Sequence, residues 1–554
     1  MTFARARATI FVLLAVATLA SAWYWIRLGI PVAMADAPSG RIACVSYSPY
    51  RKAGETPFTP AYLVSPARID EDLKALSRRF DCVRTYSVGQ GLAEVPAIAG
   101  KYGMKVLLGV WLSRNALENA EEMALAIEVA KRNSATGLSN IRAIVVGNEV
   151  LLRGELPQQT IAQHLRTVRA ATGLPVTYAD VWEFWLKYRE VAPAVDFITI
   201  HILPYWEDEP VAIDAAVAHV GAIYAKMKAA FPGREFLIGE TGWPSAGRQR
   251  WHAVPSRVNE ARFFREFMNF VEKAKLPYNV IEAFDQPWKR KLEGTVGGYW
   301  GLYDDDLRDK FPLSGPVTED AHWWVGIVVG FAGAVGFALF GALSTPTRTR
   351  IASPANMVRA LAGFFIGAIA AAEVRHFVFA NRDPFEWLLT IFLTASAVVT
   401  ATLIAERVGR WIARGESAAD EELTCAAMAD AFGKRAGGGT LGGAFVGALQ
   451  GFWLVAATIV NLLLVFDARY RDFPSLLFAP VIVAYAMLAL TGSTRWSNGT
   501  HEIEEKILSR GLVVGAAVIV VMELPINTSA DVWALLCVMF ALSTWINGRR
   551  EAAV

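Results

Sequence analysis

Two glutamates occupy matching settings in this chain. Glu149 closes the run Val145-Val146-Gly147-Asn148-Glu149, and Glu240 closes Leu237-Ile238-Gly239-Glu240. Each time, an apolar β-rich stretch containing a glycine delivers a carboxylate to its C-terminal end. Paired carboxylates suit cleavage of a glycosidic bond. One protonates the leaving oxygen, and in a retaining reaction the other attacks the anomeric carbon, at a carboxyl separation of about 5–5.5 Å. The neighbouring residue types suit a sugar: its apolar ring faces stack on tryptophan and tyrosine, and its polar edges bond carboxylates, amides and cations. Asn148, Arg84, Tyr47, Tyr86, Tyr205, Trp243, Trp288 and the pair Glu282 and Lys289 all fall at or just beyond the ends of β-rich runs. Each also has a structural reading. The aromatics can be core, and Glu282 with Lys289 can be a rim ion pair. Arg84 can tune a nearby carboxylate or form an internal ion pair. His201 reads as a hydrogen-bonding wall residue, because a two-carboxylate mechanism leaves it no proton to move. The seven histidines are dispersed and no CxxC occurs, so neither a metal nor another cofactor is expected.

These residues need a scaffold that brings distant strand ends together. Short β-rich runs, Ile42–Ser46, Cys82–Tyr86, Lys105–Val110, Ala143–Gly147, Pro175–Tyr178, Phe197–His201, Glu235–Ile238 and Asn279–Phe284, alternate with amphipathic stretches such as Ile69–Arg78 and Asn259–Lys275. Such alternation implies a parallel sheet covered by helices. Eight repeats over roughly 280 residues predict an α/β fold, a closed (β/α)8 TIM barrel, whose chemistry gathers at the C-terminal rim of its strands. An open doubly wound sheet is the alternative, but no GxGxxG follows the first strand. In a closed barrel the ends of strands four and seven face each other across the mouth, which would set Glu149 opposite Glu240.

Four segments carry a specific resemblance: Gly147-Asn148-Glu149-Val150, Gly239-Glu240-Thr241-Gly242-Trp243-Pro244-Ser245, Glu282-Ala283-Phe284-Asp285-Gln286-Pro287-Trp288-Lys289 and Trp300-Gly301-Leu302-Tyr303-Asp304. Together they resemble the signatures of glycoside hydrolase family seventeen, over about Arg41 to Lys310. The resemblance implies a retaining β-1,3-glucan-active barrel. It implies Glu149 as general acid/base, Glu240 as nucleophile, Asn148 on the sugar 2-hydroxyl and Tyr205 bonded to the nucleophile carboxylate. A barrel joined to a membrane region is similar to bacterial members linked to cyclic or branched β-glucan synthesis. That implies a glucanosyltransferase, with a separate glucan synthase as a candidate partner. Transfer, plain hydrolysis, and a non-catalytic glucan-binding or export module are the functions to distinguish.

The remainder of the chain reads as lipid-embedded. A hydrophobic share of 54% over 554 residues and a mean hydropathy of +0.32 exceed what a soluble enzyme of this length carries. Arg5 and Arg7 precede an apolar run from Ala8 to Ile26, and the small-residue stretch from Val32 to Ala37 could be a cleavage site. The length of the run favours an uncleaved anchor. Residues 1–39 are thus read as anchor and linker, 40–320 as the barrel and 321–554 as an all-α transmembrane domain. Its spans are about Trp323–Leu343, Val358–Ala380, Trp387–Ala405, Leu441–Phe466, Leu476–Thr491, Leu512–Leu524 and Val532–Ile546. With eight spans in all, the basic loops containing Arg348 and Arg350, Arg407 to Arg435, and Arg495 to Arg510, with the tail Arg549 and Arg550, fall on one side. The positive-inside rule then makes that side cytoplasmic and exports the barrel, as in a multi-pass inner-membrane protein whose partners include lipid. A polar stretch around Asp420-Glu421-Glu422 is expected to hold one amphipathic helix in a cytoplasmic loop. A net charge of only +2 without a basic stripe excludes a nucleic-acid partner. Cys44 and Cys82 can pair if exported, or remain two buried thiols.

Overall fold

The computed structural model describes residues 2–59, 62–344, 352–414, 421–422, 441–467, 469–491, 494–495 and 503–548. The expected loop helix of 416–439, and the basic residues Arg348, Arg350, Lys434, Arg435, Arg549 and Arg550, lie outside the described residues, as does most of that loop. The chain forms two compact units, Pro31–Val317 and a second made of Met1–Ile30 with Thr318–Val554.

The first unit is a nearly closed barrel of seven parallel strands in sequence order: β1 (Val45–Ser46), β2 (Cys82–Arg84), β3 (Lys105–Val110), β4 (Ile141–Asn148), β5 (Val176–Val181), β6 (Ile198–His201) and β7 (Phe236–Glu240). The predicted eighth strand is present only as bridges, Ile238 with Tyr278 and Val45 with Val280. The reason is that the segment beyond Val280 divides its hydrogen bonds. Ala283 N–H goes to Ser46 O of β1, while Glu282 N–H goes to Trp300 O and Tyr303 N–H returns to Ala283 O. The segment closes the barrel while also pairing with residues 300–303.

Strand side chains alternate between the two faces. Val83, Val106, Leu108, Ile144 and Val146 belong to the large core under the helices. Cys44, Cys82, Leu107, Ala143, Val145, Ala179 and Leu237 form a separate, smaller cluster. Amphipathic helices such as Pro66–Leu76, Gln158–Thr172 and Arg257–Ala274 cover the sheet. Their starts are set locally, since Ser65, Asn115 and Ser256 each cap the helix that follows with a side-chain oxygen. Cys44 and Cys82 are joined as a disulfide, which selects between the two readings of that pair.

In the second unit the helix Phe3–Gly29 packs as a member of a bundle rather than standing apart. Ile10 and Leu14 are fully buried, Trp25 Nε1–H donates to Ala368 O at 2.9 Å, and Thr18 Oγ1–H donates to Leu361 O at 3.1 Å. The other long helices are Trp324–Ser344, Pro354–Ala380, Pro384–Arg414, Leu441–Phe466, Ser475–Thr491, Ile503–Met522 and Thr528–Gly548. Among the described residues six helices are long and apolar enough to cross a membrane, against the eight expected. Ser475–Thr491 is shorter, and Ile503–Met522 begins with Glu504, Glu505 and Lys506, so its apolar part is brief. Several buried polar groups in this bundle are paired: Arg359 grips Glu406 through two bonds of 2.7 and 2.9 Å, and Asn461 bonds Leu512 O and Trp533.

The disulfide predicts a simple measurement. It closes a loop with a sequence separation of 38 residues. Chain-entropy reasoning gives about 3–4 kcal/mol of stabilisation for such a loop. Cys44→Ala with Cys82→Ala should lower the unfolding free energy of the detergent-solubilised chain by that amount. Alkylation of the denatured wild type should label two more thiols after reduction than before.

Candidate active site

Local backbone irregularities aim the site residues. The β4–β5 register shifts between Val145 and Asn148, and the β6–β7 register shifts between Ile200 and His201. Bulges of this kind redirect side chains next to active sites. Gly147 has φ +90°, and a methyl there would also meet Leu112 and Tyr178 at 3.2 Å. Glu149 itself adopts φ +53°, a left-handed conformation that is costly for a residue with a side chain and is found preferentially at functional positions.

The structure brings both glutamates together. Glu149, Glu240 and His201 each offer one ligand-type atom, and these lie within 4.8 Å of one another. One oxygen of each carboxylate therefore lies within 4.8 Å of the other, an approach nearer to the about 5–5.5 Å of a retaining pair than to the about 6.5–9.5 Å of an inverting one. Arg84, 1% exposed, is the hub. Its Nη1 donates to Glu240 Oε1 at 3.0 Å and to Gly239 O at 2.9 Å, and its Nη2 donates to Asn148 Oδ1 at 2.5 Å. Tyr86 donates its hydroxyl to the same Glu240 Oε1 at 2.9 Å. Both donors thus hold the same oxygen, Oε1, of Glu240. With its carbonyl oxygen taken by Arg84, Asn148 has its Nδ2 amine available for a sugar hydroxyl. His201 bridges the pair, with Nδ1 2.7 Å from Glu149 Oε1 and Nε2 3.7 Å from Glu240 Oε1. The three ligand atoms could in principle surround a cation, but the Arg84 guanidinium already supplies positive charge to the Glu240 oxygen and disfavours one.

The electrostatics separate the carboxyls. Burial pushes Glu149 up, but the His201 hydrogen bond and charge, with Arg153 and Arg84, hold it below the usual carboxylate range. Burial and the nearby Glu149 charge push Asp180 up to about 7. Burial also pushes Glu282 up to about 7, despite a 2.7 Å ion pair with Lys289, and Glu293 and Glu240 add to the rise. The Tyr86 phenol is pushed well up by burial and by Glu240, so it stays a donor.

Three expectations are corrected. Tyr205 does not donate to the proposed nucleophile: its single hydroxyl hydrogen goes to Arg248 O at 2.6 Å, and Tyr86 takes that place. Tyr47 is fully buried and donates to Asp72, so it belongs to the core. Trp243 is fully buried too, stacked on Phe263, with Nε1–H on Val254 O at 3.1 Å. Trp288 is only partly buried and meets the exposed Phe58 edge-to-face, so it keeps a rim position suited to a sugar face. Sequence reasoning passed over Arg153, which donates to Asn148 O and Leu112 O and lies 4.3 Å from the Trp111 ring centre. A basic residue four positions beyond Glu149 was the available signal.

Comparison with known proteins finds relatives of this unit. Residues 44–301 match the family model of the BtgE/BtgC glycoside hydrolase domain. A "Glucan 1,3-beta-glucosidase" of Schizosaccharomyces pombe is 28% identical over 259 residues, 44% of this chain and 79% of that protein. A "Probable beta-glucosidase btgE" of Neosartorya fischeri is 27% identical, over 47% of this chain and 46% of that one. Among solved structures, an active-site mutant of Rhizomucor miehei β-1,3-glucanosyltransferase in complex with laminaritriose is 26% identical, with a TM-score of 0.42, over 50% of this chain and 98% of that one. Residues 44–301 thus resemble a glycoside hydrolase domain, and the chain is an enzyme of the glycosidase or glycosyl-transferring kind.

Asp180 gives a pH test of the site's electrostatics. A buried carboxyl raised to about 7 binds its proton more tightly folded than unfolded. Its contribution to stability is then present below the unfolded value of about 4 and is lost as pH rises toward 7. Thermal unfolding of Asp180→Asn should accordingly show a flatter dependence on pH across that window than the wild type, by an amount of order 2–4 kcal/mol. An unchanged slope would refute the assignment.

Proposed function

We propose that the barrel is a retaining β-1,3-glucan enzyme, held at a membrane by the helical unit and acting outside the cytoplasm, and that it transfers glucan rather than only hydrolysing it. The observation that carries the retaining reading is the approach of the Glu149 and Glu240 carboxylates to within 4.8 Å. Glu240 Oε2 attacks the anomeric carbon while the glycosidic C–O bond breaks, and Glu149 gives its proton to the leaving oxygen. The glycosyl ester on Glu240 is then attacked by an acceptor hydroxyl whose proton returns to Glu149, restoring both carboxyls. Arg84 and Tyr86 hold the nucleophile, Asn148 meets a hydroxyl of the reacting sugar, and Glu282, Lys289 and Trp288 line an adjoining subsite.

The names of the relatives support β-1,3-glucan as substrate, and one of them is a glucanosyltransferase by title. Export is supported by the Cys44–Cys82 disulfide, a bond that persists in oxidising compartments, and by the distribution of basic loops. Six membrane-length helices with exposed apolar side chains suit a lipid surround. A separate glucan synthase would supply the donor chains.

The test is incubation of the full-length protein in detergent with laminari-oligosaccharides, read by product mass and linkage. Products longer than, or branched from, the starting sugar establish transfer, and only shorter products mean hydrolysis. Glu240→Gln and Glu149→Gln should each lower turnover by about 10³-fold or more. Wild-type rates in both variants would overturn the assignment of these two glutamates, and unchanged laminari-oligosaccharides with the wild type would leave the binding-module reading. Because Glu149 is held low, kcat/KM of the wild type should begin to fall with rising pH within the acid range, as the general acid loses its proton.

A further inference from the structure

The retaining reading gives His201 no proton to move, yet its ring lies between both carboxylates and is 1% exposed. The groups that face it come from four strands: Arg84 at the end of β2, Glu149 after β4, Asp180 in β5 and Glu240 in β7. Nε2 lies 3.4 Å from Arg84 Nη1, a nitrogen that is already donating to Gly239 O and Glu240. Arginine stays protonated, so a hydrogen on Nε2 would be aimed at another donor. The ring's donor is therefore Nδ1, and its acceptor is Glu149 Oε1 at 2.7 Å. The backbone makes room for this placement. A methyl at Gly239 would come within 3.1 Å of His201 Cδ2 and 2.3 Å of Thr199 Cγ2.

We propose that His201 is the positioning residue of the acid/base carboxylate: its Nδ1–H fixes Glu149 Oε1, so that Oε2 is the oxygen that gives and takes the proton at the glycosidic oxygen. This rests on the retaining assignment made above. Two effects follow from one bond. The carboxyl cannot rotate away from the leaving oxygen, which preserves the alignment on which proton transfer depends. A donor on the ionised form also keeps Glu149 a stronger acid than burial alone would allow. Such a device matters most for an acid/base residue that must release its proton in one step and recover it in the next.

The experiment compares full-length wild type, His201→Phe, His201→Asn and His201→Gln, with kcat and KM on laminari-oligosaccharides followed across pH. Phenylalanine keeps the ring shape and removes the donor. It should lower kcat by about 10–100-fold with KM nearly unchanged, and should move the basic limb of kcat/KM upward by about one pH unit. Asparagine places its amide nitrogen near the imidazole Nδ1 position and should restore the limb, whereas glutamine reaches toward the Nε2 position and should not. A basic limb at the wild-type pH in His201→Phe, or identical shifts in the asparagine and glutamine variants, overturns the proposal. Should the phenylalanine variant fail to fold, as read by thermal unfolding, the asparagine–glutamine contrast decides alone. An inactive wild type would instead sink the retaining reading itself, so the two failures are distinguishable.

Discussion

The site is organised around one buried cation. Arg84 carries its guanidinium into the barrel at 1% exposure, where an unpaired charge would cost several kcal/mol. It is tolerable because three acceptors from two other strand ends converge on it: the Glu240 carboxylate, the Gly239 carbonyl and the Asn148 side-chain oxygen. The requirement works in both directions. The charge needs those acceptors, and in bonding them it ties the ends of β2, β4 and β7 to one another. Asn148 and Glu240 are thereby held in fixed relation to one another, a condition for electrostatic preorganisation.

Around that hub the carboxyls are separated by what surrounds each one. Glu149 and Asp180 both lie beside His201, yet they move in opposite directions. Glu149 has the imidazole donor and the cations Arg153 and Arg84, whereas Asp180 has burial and the Glu149 charge against it. Glu282 rises although its lysine partner is only 2.7 Å away, because removal from water outweighs that pairing and two further carboxylates oppose ionisation. A rim rich in acids can therefore carry different protonation states at one pH, which acid–base chemistry on a sugar requires.

The two units solve different solvation problems. The barrel puts its apolar residues inward under amphipathic helices. The helical unit leaves valine, leucine and phenylalanine side chains on its outer surfaces, with Val12, Leu19, Phe331 and Leu388 each more than half exposed. It pairs charged groups between its own helices, as Arg359 does with Glu406. In lipid such pairing is favoured, because no water is there to satisfy a polar group.

The sequence by itself determined the repeat of strand and helix, the membrane-like composition and the two glutamates. All three are local signals: a period of two, a period near 3.6, long apolar runs, and glycine-containing strand ends. It did not determine which aromatics meet solvent. Tyr47, Trp243 and Tyr205 stand at or just beyond strand ends just as Tyr86 and Trp288 do, but alternation and the long loops turn the first three toward the helices and loop backbone. Nor could it show that Tyr86 rather than Tyr205 holds Glu240, or that His201 spans both carboxylates. Those contacts join residues 39 to 154 positions apart, and they depend on a register shift and a left-handed residue that leave no periodic trace. The eighth strand, legible as an apolar run, was divided between two partners for the same reason. Hydrogen-bond partners across a barrel are chosen by closure of the whole sheet, which no single segment encodes.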